Sequence, residues 1–292
     1  MKYIFQTWKS HDLTSANPIF ELSRASWQKM HPEWEYDFFD DAEIDHFVKA
    51  HFPKFYRYYF SRYIGQIKRV DLFRYCNLFI KGGIYSDLDG ECIKPFDQLL
   101  SNEPAHHIIG SLKSTSSPNR FPNALMVSRK PLSTFWLFVL AHAGKRFEEN
   151  KGFYSTEYLT GPILLTDAIL DYEKKSFPQI DDFIKQYSPD YTELRALCKK
   201  WEKEHLQIVP HSVFYPIDWH RFSKEQRYEI IEDRIKKNQI PSNLIEEDSL
   251  TLNYWTHSWE IPQYSTASRV WLRFRFYGFK ILRAIKLRNY RN

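Results

Sequence analysis

The stretch from Ile64 to Gly90 constrains this chain more than any other. Apolar residues recur at helical spacing through IGQIKRVDLFRYCNLFIK, Gly82-Gly83 stops the pattern, and Ile84-Tyr85-Ser86 leads into Asp87-Leu88-Asp89-Gly90. The spacing predicts an amphipathic helix over 64–81 that feeds directly into a strand. Two carboxylates separated by one residue on a strand face the same side. They repel unless a cation lies between them, and hard divalent ions such as Mn2+ or Mg2+ take oxygen ligands of this kind together with substrate phosphates. D-x-D-G is also the composition of an ordinary turn at a strand end. On the helix, Asp71 and Arg74 lie three apart and share one face, a spacing that equally describes a surface salt bridge of marginal worth.

The rest of the chain places this unit in an α/β layer architecture. The patterns predict a strand over 2–8, a helix over about 18–30, a strand over 34–39 and short helices through 41–60. After the long helix and the D-x-D strand come strands near 106–111 and 123–128 and a helix opened by Pro131. This alternation argues for a largely parallel sheet. Beyond about 150 the segments read as mostly helical, with charged amphipathic helices over 191–205 and 225–238. There is no internal repeat, and no linker long enough to split two domains; 114–122 is the loop with the strongest breaker composition.

Composition agrees with an enzyme-sized core without choosing a chemistry. Of 292 residues, 43% are hydrophobic and 17% aromatic, enough for one large domain. That aromatic content suits a thick core, a sugar-stacking cleft or a membrane-facing surface. Cys76, Cys92 and Cys198 are too few and too scattered for a disulfide framework or a thiolate zinc site; Cys76 reads as buried packing. The start has no secretory signal pattern, and no run is long and apolar enough to span a bilayer. The expectation is a catalytic body in a reducing cytoplasm, peripheral on the inner face of a membrane.

The membrane expectation comes from the C-terminal charge. The net charge is +5, yet from Ile261 onward there are eight basic residues and no acidic one, leaving 33 basic against 36 acidic in the body. Val270, Trp271, Phe274, Tyr277, Ile281 and Ile285 form an apolar stripe opposite Arg269, Arg273, Lys280 and Arg283. Residues 266–292 therefore read as a basic amphipathic helix for an anionic membrane surface, or as a terminal helix packed on its own body, with 1–265 as the catalytic domain. A single basic stripe without a recognisable motif argues against nucleic acid as a partner.

Helix, double glycine, strand and D-x-D together resemble the sugar-binding segment of DXD-containing glycosyltransferases, and most of all glycosyltransferase family 32. That family includes yeast-type mannosyltransferases and bacterial capsule and lipopolysaccharide sugar transferases. Tyr3-Ile4-Phe5-Gln6-Thr7-Trp8-Lys9 is similar to the family's first strand, with Phe5 where His is common. Ser26 to Asp41 resembles its helix-loop-strand unit, Thr160-Gly161-Pro162 its G-P turn, and Tyr254-Trp255-Thr256-His257-Ser258-Trp259 its terminal aromatic S-W loop. The resemblance covers roughly residues 1–260, dense over 60–100 and sparse over 170–250.

The resemblance implies a GT-A fold: a Rossmann-like, mostly parallel sheet with helical additions in the C-terminal half and the nucleotide at the carboxyl edge of the strands. It implies a metal-dependent, retaining transfer of a hexose from a UDP- or GDP-linked sugar donor to a glycan or lipid-linked saccharide acceptor, in surface polysaccharide or lipopolysaccharide synthesis. Asp89 is expected to bind Mn2+ (or Mg2+) directly, and Asp87 to contact ribose or sugar hydroxyls. Asp71 and Arg74 are expected to hold the donor sugar, Arg74 offering a fork of donors. Gln6, Thr7 and Trp8 are nucleotide-binding candidates, with Trp8 either stacked on the base or part of the core. Ser258 and Trp259 belong to a loop closing over the diphosphate. The family's usual histidine is replaced, leaving Asn253 or His257 as the third metal ligand. A metal-dependent phosphohydrolase, which needs further carboxylates or histidines for a two-metal site, and a noncatalytic membrane-surface protein are the rival classes.

Overall fold

The computed structural model describes residues 2–256 apart from 15, 103–104, 115, 219–221 and 241–243. The basic segment 266–292 and residues His257, Ser258 and Trp259 lie outside the described residues. Six strands form the central sheet: β1 (Tyr3–Thr7), β2 (Glu35–Phe39), β3 (Gly83–Ser86), β5 (His107–Gly110), β6 (Leu125–Ser128) and β7 (Leu206–Val209), in the order β2-β1-β3-β6-β5-β7. β1 is parallel to β2 and β3, β7 is parallel to β5, and β6 runs antiparallel between β3 and β5. Five strands therefore share one direction, which is the mostly parallel sheet expected. A separate two-stranded sheet joins β4 (Gly90–Cys92) to β8 (Thr251–Asn253), antiparallel.

The two faces of the sheet follow the two-residue strand period. Phe5, Tyr85, Ile109 and Met126 enter one apolar cluster with α2 (Asp41–His51), α3 (Pro53–Tyr58), α4 (Gln66–Ile80), α6 (Thr134–Asn150), α8 (Pro162–Lys174) and α9 (Phe177–Tyr187). Ile4, Ile84, Ile108 and Val127 enter the other, with Trp27 of α1 (Ile19–Met30), Phe96 and Phe214. Trp27, Trp136, Tyr63, Tyr75 and Tyr85 are among the largest fully buried side chains, so much of the aromatic excess thickens this core. Each such ring stabilises the fold by about 1.5–3 kcal/mol relative to exposure.

Three expectations are corrected. The helix predicted over 64–81 forms as α4, but it is not an amphipathic surface helix: every residue from Asp71 to Phe79 is buried. Its polar residues Asp71, Arg74 and Asn77 make a stripe at three-residue spacing that mimics a solvent face. Asn77 spends its amide on the Tyr3 hydroxyl, 3.2 Å away. The D-x-D does not continue the strand, since β3 ends at Ser86 and Gly90 N donates to Asp87 O at 2.9 Å, closing a turn. The helix predicted over 191–205 stops early, as α10 (Tyr191–Leu197).

The double glycine has a specific task between α4 and β3. Gly82 and Gly83 have φ of 71° and 98°, a region where L side chains are strained. A Cβ on Gly83 would lie 2.5 Å from Tyr3 Cδ1 and 2.8 Å from Tyr3 O. Only glycine lets the chain reverse there while β3 seats against β1. The helix predicted to open at Pro131 is capped two residues later, where the Ser133 hydroxyl accepts from Trp136 N.

Candidate functional site

The carboxyl ends of β1, β2 and β3 and the amino end of α4 converge on one edge of the sheet, and the candidate residues meet there. Asp71, in the second turn of α4, is buried. Its Oδ1 accepts from Asn123 Nδ2 at 2.9 Å and its Oδ2 from Thr160 Oγ1 at 3.0 Å. One turn later, Arg74 places Nη1 3.4 Å from Asp71 Oδ1 and Nη2 2.9 Å from Asp87 Oδ1. Arg74 also donates to Asn123 O at 3.1 Å and sits 4.6 Å over the Tyr85 ring. Tyr85 donates its hydroxyl to Asp87 Oδ1 at 2.6 Å. The pair that spacing alone permits as a surface salt bridge is thus an internal cation shared by two carboxylates.

Electrostatics sharpen the arrangement. Burial pushes the Asp71 carboxyl up to about 6, against the opposing pull of Arg74, Thr160 and Asn123. Burial disfavours the Arg74 charge too, but Asp87 and Asp71 outweigh it and hold the guanidinium firmly protonated. Burial likewise raises the Asp89 carboxyl, partly offset by the donors of Thr256.

Asp89 is oriented from the far end of the chain. Thr256 donates its backbone N–H at 2.7 Å and its hydroxyl at 2.8 Å to Asp89 Oδ2, and Tyr254 N bonds Asp89 O at 3.0 Å. The β4·β8 pairing sets Asn253 opposite Gly90, and Asn253 Oδ1 accepts from Trp255 N at 3.0 Å. Two residues past the D-x-D, the buried Glu91 receives Arg234 of α12 (Lys224–Lys237) through Nη2 at 2.6 Å and Nε at 3.1 Å, and the Tyr254 hydroxyl at 2.6 Å. That fork ties α12 to the same small sheet.

Of the nucleotide-binding candidates, Gln6 lies directly beneath the turn, donating to Asp87 O at 3.1 Å and accepting from Tyr36 OH at 2.7 Å. Thr7 approaches the Tyr85 hydroxyl at 3.5 Å. Trp8 packs edge-on against Phe20, with ring centroids 4.7 Å apart, and stays partly exposed. Sequence reasoning assigned no site role to Asn123, Thr160, Tyr85, Thr256 or Glu91. Thr160 and Thr256 stood inside quoted motifs, and Tyr85 inside the key run; Asn123 carried no local signal.

The donor set fits a hard divalent ion. Asp89, Asp87 and Asn253 offer oxygens only, and so few carboxylates leave coordination positions for diphosphate oxygens and water, as Mg2+ and Mn2+ sites on phosphates require. Among the described residues, the one group of three His, Cys, Asp or Glu ligands within reach of each other is His11, Asp40 and Glu43. Asp40 and Glu43 there form the capping box of α2. Among the described residues, no group of three His, Cys, Asp or Glu ligands lies at the D-x-D turn. His107 is likewise structural: wholly buried, it bonds Glu204 at 2.8 Å, alongside Ser133 and Lys130. Among the described residues no helix is long and apolar enough to cross a membrane.

The chain is similar to known proteins over part of its length. The family described as the glycosyltransferase sugar-binding region containing the DXD motif matches residues 20–106. The chain is similar to inositol phosphoceramide mannosyltransferase 3 of Schizosaccharomyces pombe, 31% identical over 56% of this chain and 43% of that protein. It is also similar to a mannosyl phosphorylinositol ceramide synthase of Saccharomyces cerevisiae, 28% identical over 67% of this chain and 48% of that protein. The matches span less than half the length of these relatives. Among solved structures, PaToxG glycosyltransferase aligns with TM-score 0.43 and 16% identity, over 67% of this chain and 78% of that one. With its D-x-D turn and the Asp71 and Arg74 pair beside it, the segment 20–106 carries the glycosyltransferase sugar-binding region containing the DXD motif, in a chain similar to these mannosyltransferases over part of their length.

Proposed function

We propose that this protein is a metal-dependent glycosyltransferase that moves a hexose from a nucleotide-diphosphate sugar to a glycan or lipid-linked saccharide acceptor. The observation that carries the reading is the buried Asp71 and Arg74 pair, joined by Arg74 to the partly exposed Asp87, beside the turn that presents Asp89. A carboxylate kept in a buried position above its normal pKa is a stability cost, and such costs concentrate where a ligand is bound. Asp71 and Arg74 supply acceptors and donors for sugar hydroxyls, and Asp87, held by Arg74 and Tyr85, faces ribose or sugar. Asp89, oriented through Oδ2, and Asn253 or His257 are the protein ligands for Mn2+ or Mg2+. When bound, the ion neutralises charge on the departing diphosphate. Gln6, Thr7 and Trp8 border the base, and Ser258 and Trp259 close over the diphosphate. The family resemblance supports retention at the anomeric carbon and a GT-A description of the fold. Similarity to an inositol phosphoceramide mannosyltransferase and a mannosyl phosphorylinositol ceramide synthase supports mannose as the hexose and a lipid-borne acceptor.

The test is thermal stabilisation of the purified chain by a panel of UDP- and GDP-sugars, with and without Mn2+. One donor should stabilise by about 2.7 kcal/mol at a hundredfold excess over its Kd, only with metal, and not in Asp89→Ala. Stabilisation independent of metal, or retained in Asp89→Ala, refutes the reading. Residues 266–292 are proposed to hold the enzyme at an anionic membrane surface. Deleting 268–292 should abolish liposome association while sparing donor hydrolysis; unchanged liposome binding refutes that part.

A further inference from the structure

Asp89 is oriented by a short segment that needs support of its own. β8 is three residues long and belongs to a two-stranded sheet, and so small a ribbon is marginal by itself. Just past it, Trp255 has φ of 50°, a left-handed conformation that strains a bulky side chain and persists only where its surroundings fix it. Yet this segment supplies both Thr256 donors to Asp89 Oδ2 and the Tyr254 N–H to Asp89 O. Pinning Oδ2 decides where Oδ1 points, so whatever fixes residues 254–256 also fixes Asp89.

Part of that support is local: Trp255 N donates to Asn253 Oδ1, and Trp255 Nε1 to Ile217 O at 2.5 Å. The rest comes from α12. Arg227, Ile231 and Arg234 lie four and three apart on one helical face; the first two are buried, and the Arg234 side chain keeps 11% exposure. Arg227 and Ile231 border the same narrow cleft as Tyr254, Trp255 and Thr256. Ile231 also shares an apolar cluster with Tyr254 and with Leu88, the middle residue of the D-x-D. Arg234 grips Glu91 side-on through Nε and Nη2, and the Glu91 oxygen that meets Nε also accepts the Tyr254 hydroxyl.

We propose that Glu91 is a positioning residue for the D-x-D: held in plane by Arg234, it fixes the Tyr254 ring and, through the Tyr254 backbone, the donors that orient Asp89. The inference rests on the metal reading of Asp89 given above. Stability alone is a poor reason for this pair. Replacing a buried ion pair by apolar side chains of similar volume is often neutral or stabilising, and Leu88, Ile231 and Leu252 already make the neighbourhood apolar. What the pair adds is direction. A guanidinium fork fixes the plane of a carboxylate, and a carboxylate with a fixed plane accepts the Tyr254 hydroxyl at one place. Glu91 needs no contact with sugar or metal to do this.

Two variants of the full chain test this. Tyr254→Phe removes only the hydroxyl, and Glu91→Met combined with Arg234→Met replaces the ion pair by apolar side chains. The probe is Mn2+ with UDP or GDP, its affinity read from the EPR signal of free Mn2+. Hydrogen exchange over 87–92 in the metal-free protein reads the same orientation without turnover. Both variants should melt close to wild type, bind Mn2+ about tenfold more weakly, and exchange faster over 87–92 and 250–256. Glu204→Gln, which loosens the fold around His107, is the control and should melt lower with unchanged Mn2+ affinity. Wild-type Mn2+ affinity in Tyr254→Phe overturns the proposal and leaves the donor reading intact, whether or not the paired Met variant folds. An equal loss in Glu204→Gln also overturns it, since general loosening would then account for the effect. Absence of nucleotide-dependent Mn2+ binding by the wild type would instead remove the donor reading, and this inference with it.

Discussion

Asp71→Asn should make this protein more stable and less able to bind its donor, and the two effects should separate with pH. The side chain is fully enclosed, and its pKa rises from 3.8 to about 6 in the fold. At pH 7.5 the carboxylate is therefore held ionised against a gap of about 2 pKa units, equivalent to about 3 kcal/mol of lost stability. The sign follows from proton uptake. Between the unfolded and folded pKa values the native state binds more protons than the unfolded chain, so stability falls as pH rises from about 4 to about 6 and stays low above. Asparagine keeps an acceptor for Asn123 or Thr160 and removes the charge, so at pH 7.5 it should recover a large part of that energy. For a chain of this size that is a gain of several degrees in Tm, at about 2–4 °C per kcal/mol. At pH 4 the wild-type carboxyl is itself protonated in the fold, and the two proteins should melt together. The assay is thermal or urea unfolding of both proteins at pH 4 and pH 7.5, with donor binding at the higher pH. A variant less stable than wild type at pH 7.5, or an advantage equally large at pH 4, refutes the argument.

Other outcomes follow from the same geometry. Gly83→Ala combines a strained φ with a 2.5 Å approach to Tyr3 and should cost about 2–4 kcal/mol, read as a lower urea midpoint with an unchanged m-value. Glu204→Gln leaves Lys130 and His107 without their buried carboxylate and should cost about 3–5 kcal/mol at neutral pH. Burial opposes the Glu204 charge, but His107, Lys130 and Ser133 more than compensate and hold it down to about 2. Its contribution is therefore present above the unfolded value and disappears as pH falls from 4.5 toward 2, so the cost of Glu204→Gln should shrink on acidification. A cost independent of pH over that range would contradict the assignment.

What could be read from the chain and what could not divides along contact distance. The helix, the double glycine and the D-x-D are local, and they were legible because periodicity and breakers act within a few residues. The helix face was misread for a physical reason: Asp71, Arg74 and Asn77 repeat as a solvent stripe would, yet each finds its polar partners inside the fold. The D-x-D was legible as a pair of carboxylates but not as a turn, since Asp and Gly suit both. Asn123 and Thr160 reach Asp71 across 52 and 89 positions, and no local pattern encodes a partner at that range.

The bond from Thr256 to Asp89 spans 167 positions, and it has a temporal meaning. A ribosome releases the D-x-D turn early, but the strand that braces it, β8, emerges only after most of the domain is out. Until then Asp89 has neither Thr256 nor the strand partner of Gly90. A partly made chain can form β1, α4 and β3 and display the complete motif, yet lack the oriented carboxylate at its tip. The oriented carboxylate therefore waits on β8 and on Thr256, which follows it by 167 positions.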